Sequence, residues 1–183
     1  ATTTSDNVRH WSAADGLSAN TANSPEVRRT LRNRSRYEIA NNSYARGITL
    51  TLANDTVGTG PRLQMLTENA VANRFVEQEF FSWADAIGLA EKLRTMRLAR
   101  VSDGESFALL TSNPRVDSPV QLDLKLIEAD QVASPSLARD QGRYFDGITF
   151  DSYGNAVAYD VLREHPGDTA FSMLDSYDTI GAL

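Results

Sequence analysis

The predicted fold is built around one stretch of sequence. The stretch begins with Asn41-Asn42-Ser43-Tyr44-Ala45-Arg46-Gly47 and ends with Val57-Gly58-Thr59-Gly60-Pro61-Arg62-Leu63-Gln64. Asn42 or Ser43 can accept a hydrogen bond from a free amide of a first helical turn. Apolar residues then recur every four positions and predict one stripe along the helix, formed by Tyr44, Ile48 and Leu52. The stretch therefore predicts a helix that begins near residue 43.

Glycines decide how this helix packs and where it ends. Gly47 lies inside the helix, where the absence of a side chain indicates close packing against a neighbour. Gly58 can adopt the positive φ that ends a helix, and Gly60-Pro61 prevents the helix from resuming. An extended segment is expected from Arg62 to Leu66.

The flanking sequence predicts further helices. Residues 1–23 are poor in apolar side chains and predict a flexible arm, in which Trp11 is a candidate interface anchor. Ser24-Pro25 begins a helix that extends to about Ala40. Thr67 or Asn69 caps a third helix, which we expect to bury an apolar stripe with Phe75 beside it; the stripe is made of Ala72, Val76, Phe80 and Trp83. A fourth helix covers Asp85 to Val101.

The second half of the chain predicts strands. Asp103-Gly104 is a turn before a strand at Glu105 to Thr111, and strict alternation predicts another at Val120 to Leu126. Residues 147–150 and 156–162 predict a hairpin, with Gly154 as the positive-φ residue of its turn. The resulting fold class is α+β, with N-terminal helices packed on a mixed, mainly antiparallel sheet that ends in a C-terminal β-hairpin.

Composition excludes several function classes. The 183 residues include no cysteine, so disulfides, thiolate catalysis and sulfur-ligated zinc are excluded. No apolar run approaches the ~18 residues of a membrane span, and the first residues do not resemble a signal peptide. The formal net charge of -6 does not favour nucleic-acid binding by the whole surface. Basic residues are nevertheless clustered, at Arg28, Arg29, Arg32, Arg34 and Arg36 and again at Lys92, Arg94, Arg97 and Arg100, whereas acids dominate after residue 101.

Candidate catalytic groups are few. His10 and His165 lie in unrelated contexts, and no cluster has the spacing of a metal site or a serine hydrolase. Asp103 and Glu105 could act as an acid–base pair in a buried cleft, although turn acids that face water are far commoner. Gly58-Thr59-Gly60 follows a helix instead of a strand, so it is not a dinucleotide-binding loop.

Several motifs resemble the N-terminal region of the lambda-type family of phage portal proteins. The clearest are the Asn-Asn-Ser-Tyr-Ala-x-Gly helix followed by Val-Gly-Thr-Gly-x-x-Leu-Gln, and the hairpin Gly-Ile-x-Phe-Asp-x-Tyr-Gly-x-x-Val-Ala-Tyr at residues 147–159. Weaker matches are a helix that ends in Phe-x-x-Trp and the turn Asp-Gly-Glu-x-Phe. The resemblance covers roughly residues 24–167, and its motif positions are Tyr44, Gly47, Gly58, Gly60, Trp83, Gly104, Gly147, Asp151, Gly154 and Tyr159.

The resemblance implies a structural subunit without a cofactor or enzymatic activity. Residues 24–183 would be the wing-like domain of a longer portal protein, and copies would form a ring, usually of about twelve, at one capsid vertex. Such rings carry double-stranded DNA during packaging and ejection and contact capsid protein, terminase and a head–tail adaptor. They assemble in the host cytoplasm and remain in the virion. The alternatives are a scaffold or binding domain unrelated to phage, or a small hydrolase that uses Asp103 and Glu105.

The arginine row has two interpretations. Arg28, Arg32 and Arg36 recur every four residues and share a helix face. The row is either a solvated basic face, or it binds an anion, which would be an acidic surface of a neighbouring subunit or the phosphates of packaged DNA. The acidic bias after residue 101 favours the neighbouring subunit. Under either interpretation, reversing the three charges should leave the isolated domain about as stable as before.

Overall fold

A computed structural model describes residues 16–134, 142–167 and 176–182. Trp11 lies outside the described residues. A short helix α1, Ala19–Ala22, falls within the predicted arm and is capped by the Ser18 hydroxyl, which accepts from the Thr21 amide at 3.2 Å. The division between an arm and a domain at residue 23 stays a prediction.

Two long helices follow where their caps predict them. Helix α2 is Pro25–Asn41, and the Ser24 hydroxyl accepts from the Val27 amide at 3.5 Å. Helix α3 is Ser43–Val57, and the Asn42 side chain accepts from the Tyr44 amide at 3.0 Å. A single residue separates the two helices, and Gly58 ends the second at φ 53°.

Two further helices complete the N-terminal half. Helix α4 is Ala70–Ala86, and the Asn69 side chain caps it. Helix α5 is Leu89–Asp103, which begins four residues later than predicted because Gly88, at φ 62°, turns the chain between the two helices. Gly104, at φ 85°, ends α5 as the Asp103-Gly104 turn predicts. Residues 62–66, predicted to be extended, belong to no helix and pair with no described strand.

The strands form two antiparallel sheets instead of the one sheet that we expected. The first contains β1, Phe107–Ser112, and β2, Leu122–Ile127, paired in continuous register. A short 3-10 helix, Ala129–Gln131, leads to the second sheet. Its order is β3-β4-β5-β6, where β3 is Tyr144–Phe145, β4 is Ile148–Phe150, β5 is Ala156–Leu162 and β6 is Tyr177–Gly181. The α+β class and the β4–β5 hairpin are confirmed, whereas β3 and β6 were not predicted.

The core is thin. Helix α3 packs mainly on α5, and α2 packs on both. No large side chain of the described residues is fully buried. The buried apolar residues are Ala53, Ile87, Leu89, Ala129, Val132, Val161 and Leu162. Many apolar side chains of the helices therefore lie outside the core.

Polar contacts join the helices to the sheets. Lys92 of α5 pairs with Asp123 of β2, and this ion pair, with a hydrogen bond from Asn113, lowers the pKa of Asp123 to about 2. The Trp83 Nε1–H group donates to the carbonyl oxygen of Leu122 at 2.8 Å, which attaches α4 to the same strand. Phe107 and Tyr159 stack edge to face across the two sheets, with ring centroids 5.9 Å apart.

Candidate assembly surface

Helix α3 turns its apolar stripe toward solvent. Its buried residues are Thr49 and Ala53, and the Thr49 hydroxyl donates to the Ala45 carbonyl oxygen at 2.9 Å, so that no buried polar atom of that side chain lacks a partner. Tyr44 is 84% exposed and Ile48 is 62% exposed. The helix approaches α5 through small side chains, which leaves the large ones outside. The predicted stripe exists, but it is not part of the core.

Helix α4 also departs from the prediction of a buried stripe. None of its residues is buried, and Phe75 is 64% exposed while Val76 is 39% exposed. Phe80 and Trp83 are half-buried, with ring centroids 5.6 Å apart. The helix thus contacts the rest of the domain through a narrow strip of side chains that includes Phe80 and Trp83.

Helix α2 likewise exposes apolar side chains, and it buries a charged one. Its one buried residue is Arg32, which is 8% exposed, whereas Leu31 and Tyr37 are exposed. We call the large apolar side chains of these three helices that are at least 40% exposed the outward apolar residues; they are Leu31, Tyr37, Tyr44, Ile48, Leu52, Val71, Phe75 and Phe81. Because exposed apolar patches mark interaction sites, these residues are candidates for contact with a partner.

The arginine row of α2 is neutralised by acids of the same chain. Arg28 pairs with Asp146 in the turn between β3 and β4. Arg32 lies 3.3 Å from Glu105 and 3.6 Å from Asp130. The complementary acids that we expected on a neighbouring subunit are therefore present in this chain for these arginines.

Arg36 makes the tightest of these contacts. Its Nε and Nη2 atoms donate to the two carboxylate oxygens of Asp103 at 2.8 and 2.9 Å, and its Nη1 atom lies 2.6 Å from Asp130. The Asp103 hydrogen bonds raise the pKa of Arg36, against the opposing effect of burial. Burial disfavours the charged form of Asp130, but its bond to Arg36 and the charge of Arg32 outweigh burial, and the pKa of Asp130 is lowered. Both groups are therefore charged at neutral pH.

Arg29 and Arg34 belong to the same basic cluster of α2 but not to the row, and they differ from its three arginines. Both are exposed, and neither takes part in an ion pair within the described ranges. They are the arginines of the cluster that remain available to a neighbour or to DNA, and that contact stays a prediction.

The arrangement of acids does not suit acid–base catalysis. A cleft of about 440 Å³ is lined by Arg28, Arg32, Asp103 and Glu105, among others, but both carboxylates are held by arginines. His165 does not line that cleft; its Nε2 atom lies 3.5 Å from Glu128 and 3.6 Å from Asp130. No group of three potential metal ligands occurs in the part of the chain that the structure describes.

The hairpin turn has the geometry that its sequence predicts. One carboxylate oxygen of Asp151 accepts from the amides of Tyr153 and Asn155, at 2.8 and 2.9 Å, and Gly154 adopts φ 86°. Tyr159 lies on β5, opposite Ile148. The turn is thus closed by local hydrogen bonds.

The other motif glycines divide into three kinds. Gly147, at φ 79°, is tightly enclosed, because a Cβ atom there would lie 2.7 Å from the carbonyl carbon of Ala133. A Cβ atom at Gly60 would lie 2.9 Å from that of Ala90. Gly58 and Gly104 have positive φ but open surroundings. Gly47 is exposed with nothing within 4 Å of a Cβ atom, so the predicted close packing at Gly47 is wrong for the described chain.

Two residues important to this surface were not singled out from the sequence. Asp130 forms ion pairs with both Arg32 and Arg36. Asp146 is buried, has a backbone φ of 47° and forms an ion pair with Arg28. The acidic bias after residue 101 was the available signal, but it did not identify which acids face α2.

Comparison with known families gives one match. A family model described as phage portal protein, lambda family, matches residues 4–181. The match extends beyond the residues 24–167 that the motifs cover, on both sides. No curated protein matches the chain. Among the described helices, none is both long enough and apolar enough to cross a membrane.

Proposed function

The chain belongs to the lambda family of phage portal proteins, and we propose that it is a structural subunit of a portal ring at one vertex of the capsid. Copies of the chain would surround the channel through which double-stranded DNA enters the head during packaging and leaves during ejection. The family is structural and not enzymatic. We assign no catalytic role to Asp103, Glu105 or His165, because each of these side chains lies against oppositely charged groups or carboxylates of the same chain.

The outward apolar residues carry this proposal. A domain that functions alone gains nothing by exposing Tyr44, Ile48 and Phe75 while it buries Arg32. Full burial of one such apolar side chain stabilises an association by about 1.5–3 kcal/mol. In a ring, every copy offers and covers the same surfaces, so the gain is repeated at each interface.

The remaining partners follow from the role of a portal. Arg29 and Arg34 are proposed to contact acids of an adjacent subunit or phosphates of the packaged DNA. Capsid protein would surround the ring, and terminase and a head–tail adaptor would dock on it. Assembly in the host cytoplasm and a stoichiometry of about twelve are part of the same proposal.

Electron microscopy of the protein produced from its complete gene tests the proposal. The expected result is a ring with a central hole. Particles that stay single at all concentrations, with no ring and no central hole, would overturn it. Mass photometry of the same sample gives the number of copies and distinguishes a ring from an irregular aggregate.

A further inference from the structure

Strand β1 has one edge that no strand of the described residues covers. It pairs with β2 along its other side. Exposed strand edges are normally protected by charges, prolines, bulges or shortness. The described edge strand β2 carries Asp123 and Lys125, β6 carries Asp178, and β3 has only two residues. Phe-Ala-Leu-Leu-Thr-Ser in β1 has none of these features, and a sheet of two strands is marginal in isolation.

An apolar cleft runs along this edge. Its volume is about 380 Å³; residues 106–110 and Ile127 of the first sheet line one side, while Val132 and residues 180–182 line the other. Successive residues of a strand point to opposite faces, so five consecutive lining residues mean that the cleft reaches the backbone of β1. Tyr159 and Val161 also line it. The cleft is therefore shaped for an extended apolar segment.

The chain also contains a segment that lies outside the helices and strands and has no strand partner among the described residues. Residues 61–66 read Pro-Arg-Leu-Gln-Met-Leu, and Leu66 is 87% exposed. The one backbone group of this segment with a described hydrogen bond is the Met65 amide, which donates to Glu77 at 2.8 Å. In an extended conformation, alternate amides point to opposite edges, so the amides of Arg62, Gln64 and Leu66 would share the edge opposite the bonded Met65 amide.

We propose that residues 62–66 of one subunit add to β1 of the adjacent subunit as a third strand. Backbone hydrogen bonds to the free edge would provide affinity, while Leu63 and Met65 would enter the cleft. In its own chain the segment is held on the helices, by Gly60 against Ala90 and by Met65 bonded to Glu77 of α4. The inference rests on the proposed ring, since only an assembly brings a second copy to this edge.

The absence of cysteine permits a direct test by cross-linking. Phe107 contacts Tyr159 and thus faces the cleft, so Ala108 and Leu110 face the other way, on the side expected for Gln64 of the added strand. Gln64→Cys protein is mixed with Ala108→Cys protein or with Leu110→Cys protein, which covers two registers. After assembly and mild oxidation, a disulfide-linked dimer is expected in at least one mixture, because paired strands bring Cβ atoms within bonding range.

The controls separate this inference from the proposed function. Gln64→Cys mixed with Asn155→Cys, in the exposed turn of the other sheet, should give no dimer. Rings without a cross-link in either register would overturn the strand exchange and leave the portal function standing. An intramolecular cross-link in the Gln64→Cys/Leu110→Cys double variant would also overturn it. If the parent protein forms no rings, both the portal function and the strand exchange are refuted.

Discussion

At the scale of single residues, the space around a glycine decides its importance as much as its φ angle. Gly147 and Gly154 both have positive φ, at 79° and 86°, where a Cβ atom costs about 1–2 kcal/mol. They differ in their surroundings, because Ala133 backbone atoms lie within 3 Å of a Cβ atom at Gly147 and nothing lies within 4 Å at Gly154. The family motif includes both glycines, but only one of them is enclosed.

We therefore expect Gly147→Ala to lower the free energy of unfolding by about 1–3 kcal/mol more than Gly154→Ala, because only the first adds a steric clash to the backbone strain. Chemical denaturation of the two variants beside the parent protein measures the difference. Gly154→Ala is the matched control, since it shares the backbone conformation. Equal losses would show that the contact with Ala133 relaxes without cost.

At the scale of elements, helix α2 is held against the rest of the domain chiefly by ion pairs. Its buried contact is Arg32, whose side chain is 9% exposed and faces Glu105 and Asp130. Removing one member of a buried ion pair leaves an uncompensated charge, which is strongly destabilising. We had expected that reversal of Arg28, Arg32 and Arg36 leaves the isolated domain about as stable as before; because all three pair with acids of the same chain, we now expect it to destabilise the domain.

Arg32→Met is expected to destabilise the protein by about 3 kcal/mol, since it retains the apolar stem but leaves Asp130 and Glu105 without that partner. Arg34→Met, at an exposed position of the same helix, should change stability by less than about 0.5 kcal/mol. Thermal or denaturant unfolding of both variants provides the measurement. Similar stabilities of the two would mean that α2 is held by other contacts.

At the scale of the whole molecule, buried and exposed residues are distributed as in a component of an assembly. Polar residues such as Arg32, Thr49 and Asp146 are buried, whereas the outward apolar residues lie on three helices. An uncovered apolar side chain contributes little to the stability of one copy, but it contributes to association when a neighbour covers it. Substitutions on this surface should therefore separate folding from assembly.

Tyr44→Gln combined with Ile48→Gln is expected to change the unfolding free energy of a single copy by less than about 0.5 kcal/mol, and to reduce the fraction of protein in rings. Thr51→Gln is the matched control, because Thr51 is an exposed polar residue of the same helix. Sedimentation velocity at several protein concentrations measures assembly. Undiminished rings at every concentration would exclude Tyr44 and Ile48 from the interface.

The sequence by itself determined where several of the elements begin and end. Ser24, Asn42 and Asn69 cap three helices as predicted, and Gly154 lies in the predicted hairpin turn, because capping and turn formation depend on neighbours within four residues. The family motifs lie in these same local features. Segments with weaker local signals, such as β3 and β6, were not predicted, since their pairing depends on distant strands.

Only the tertiary structure decided which side of each helix is buried. Periodicity identifies a stripe but not the direction in which it points, and α3 buries Thr49 and Ala53 because small side chains allow a close approach to α5. The partners of the arginine row were likewise undetermined, since Arg32 and Glu105 are separated by 73 residues and meet only when the chain folds. Contacts over such separations depend on the packing of whole elements, which no local pattern encodes.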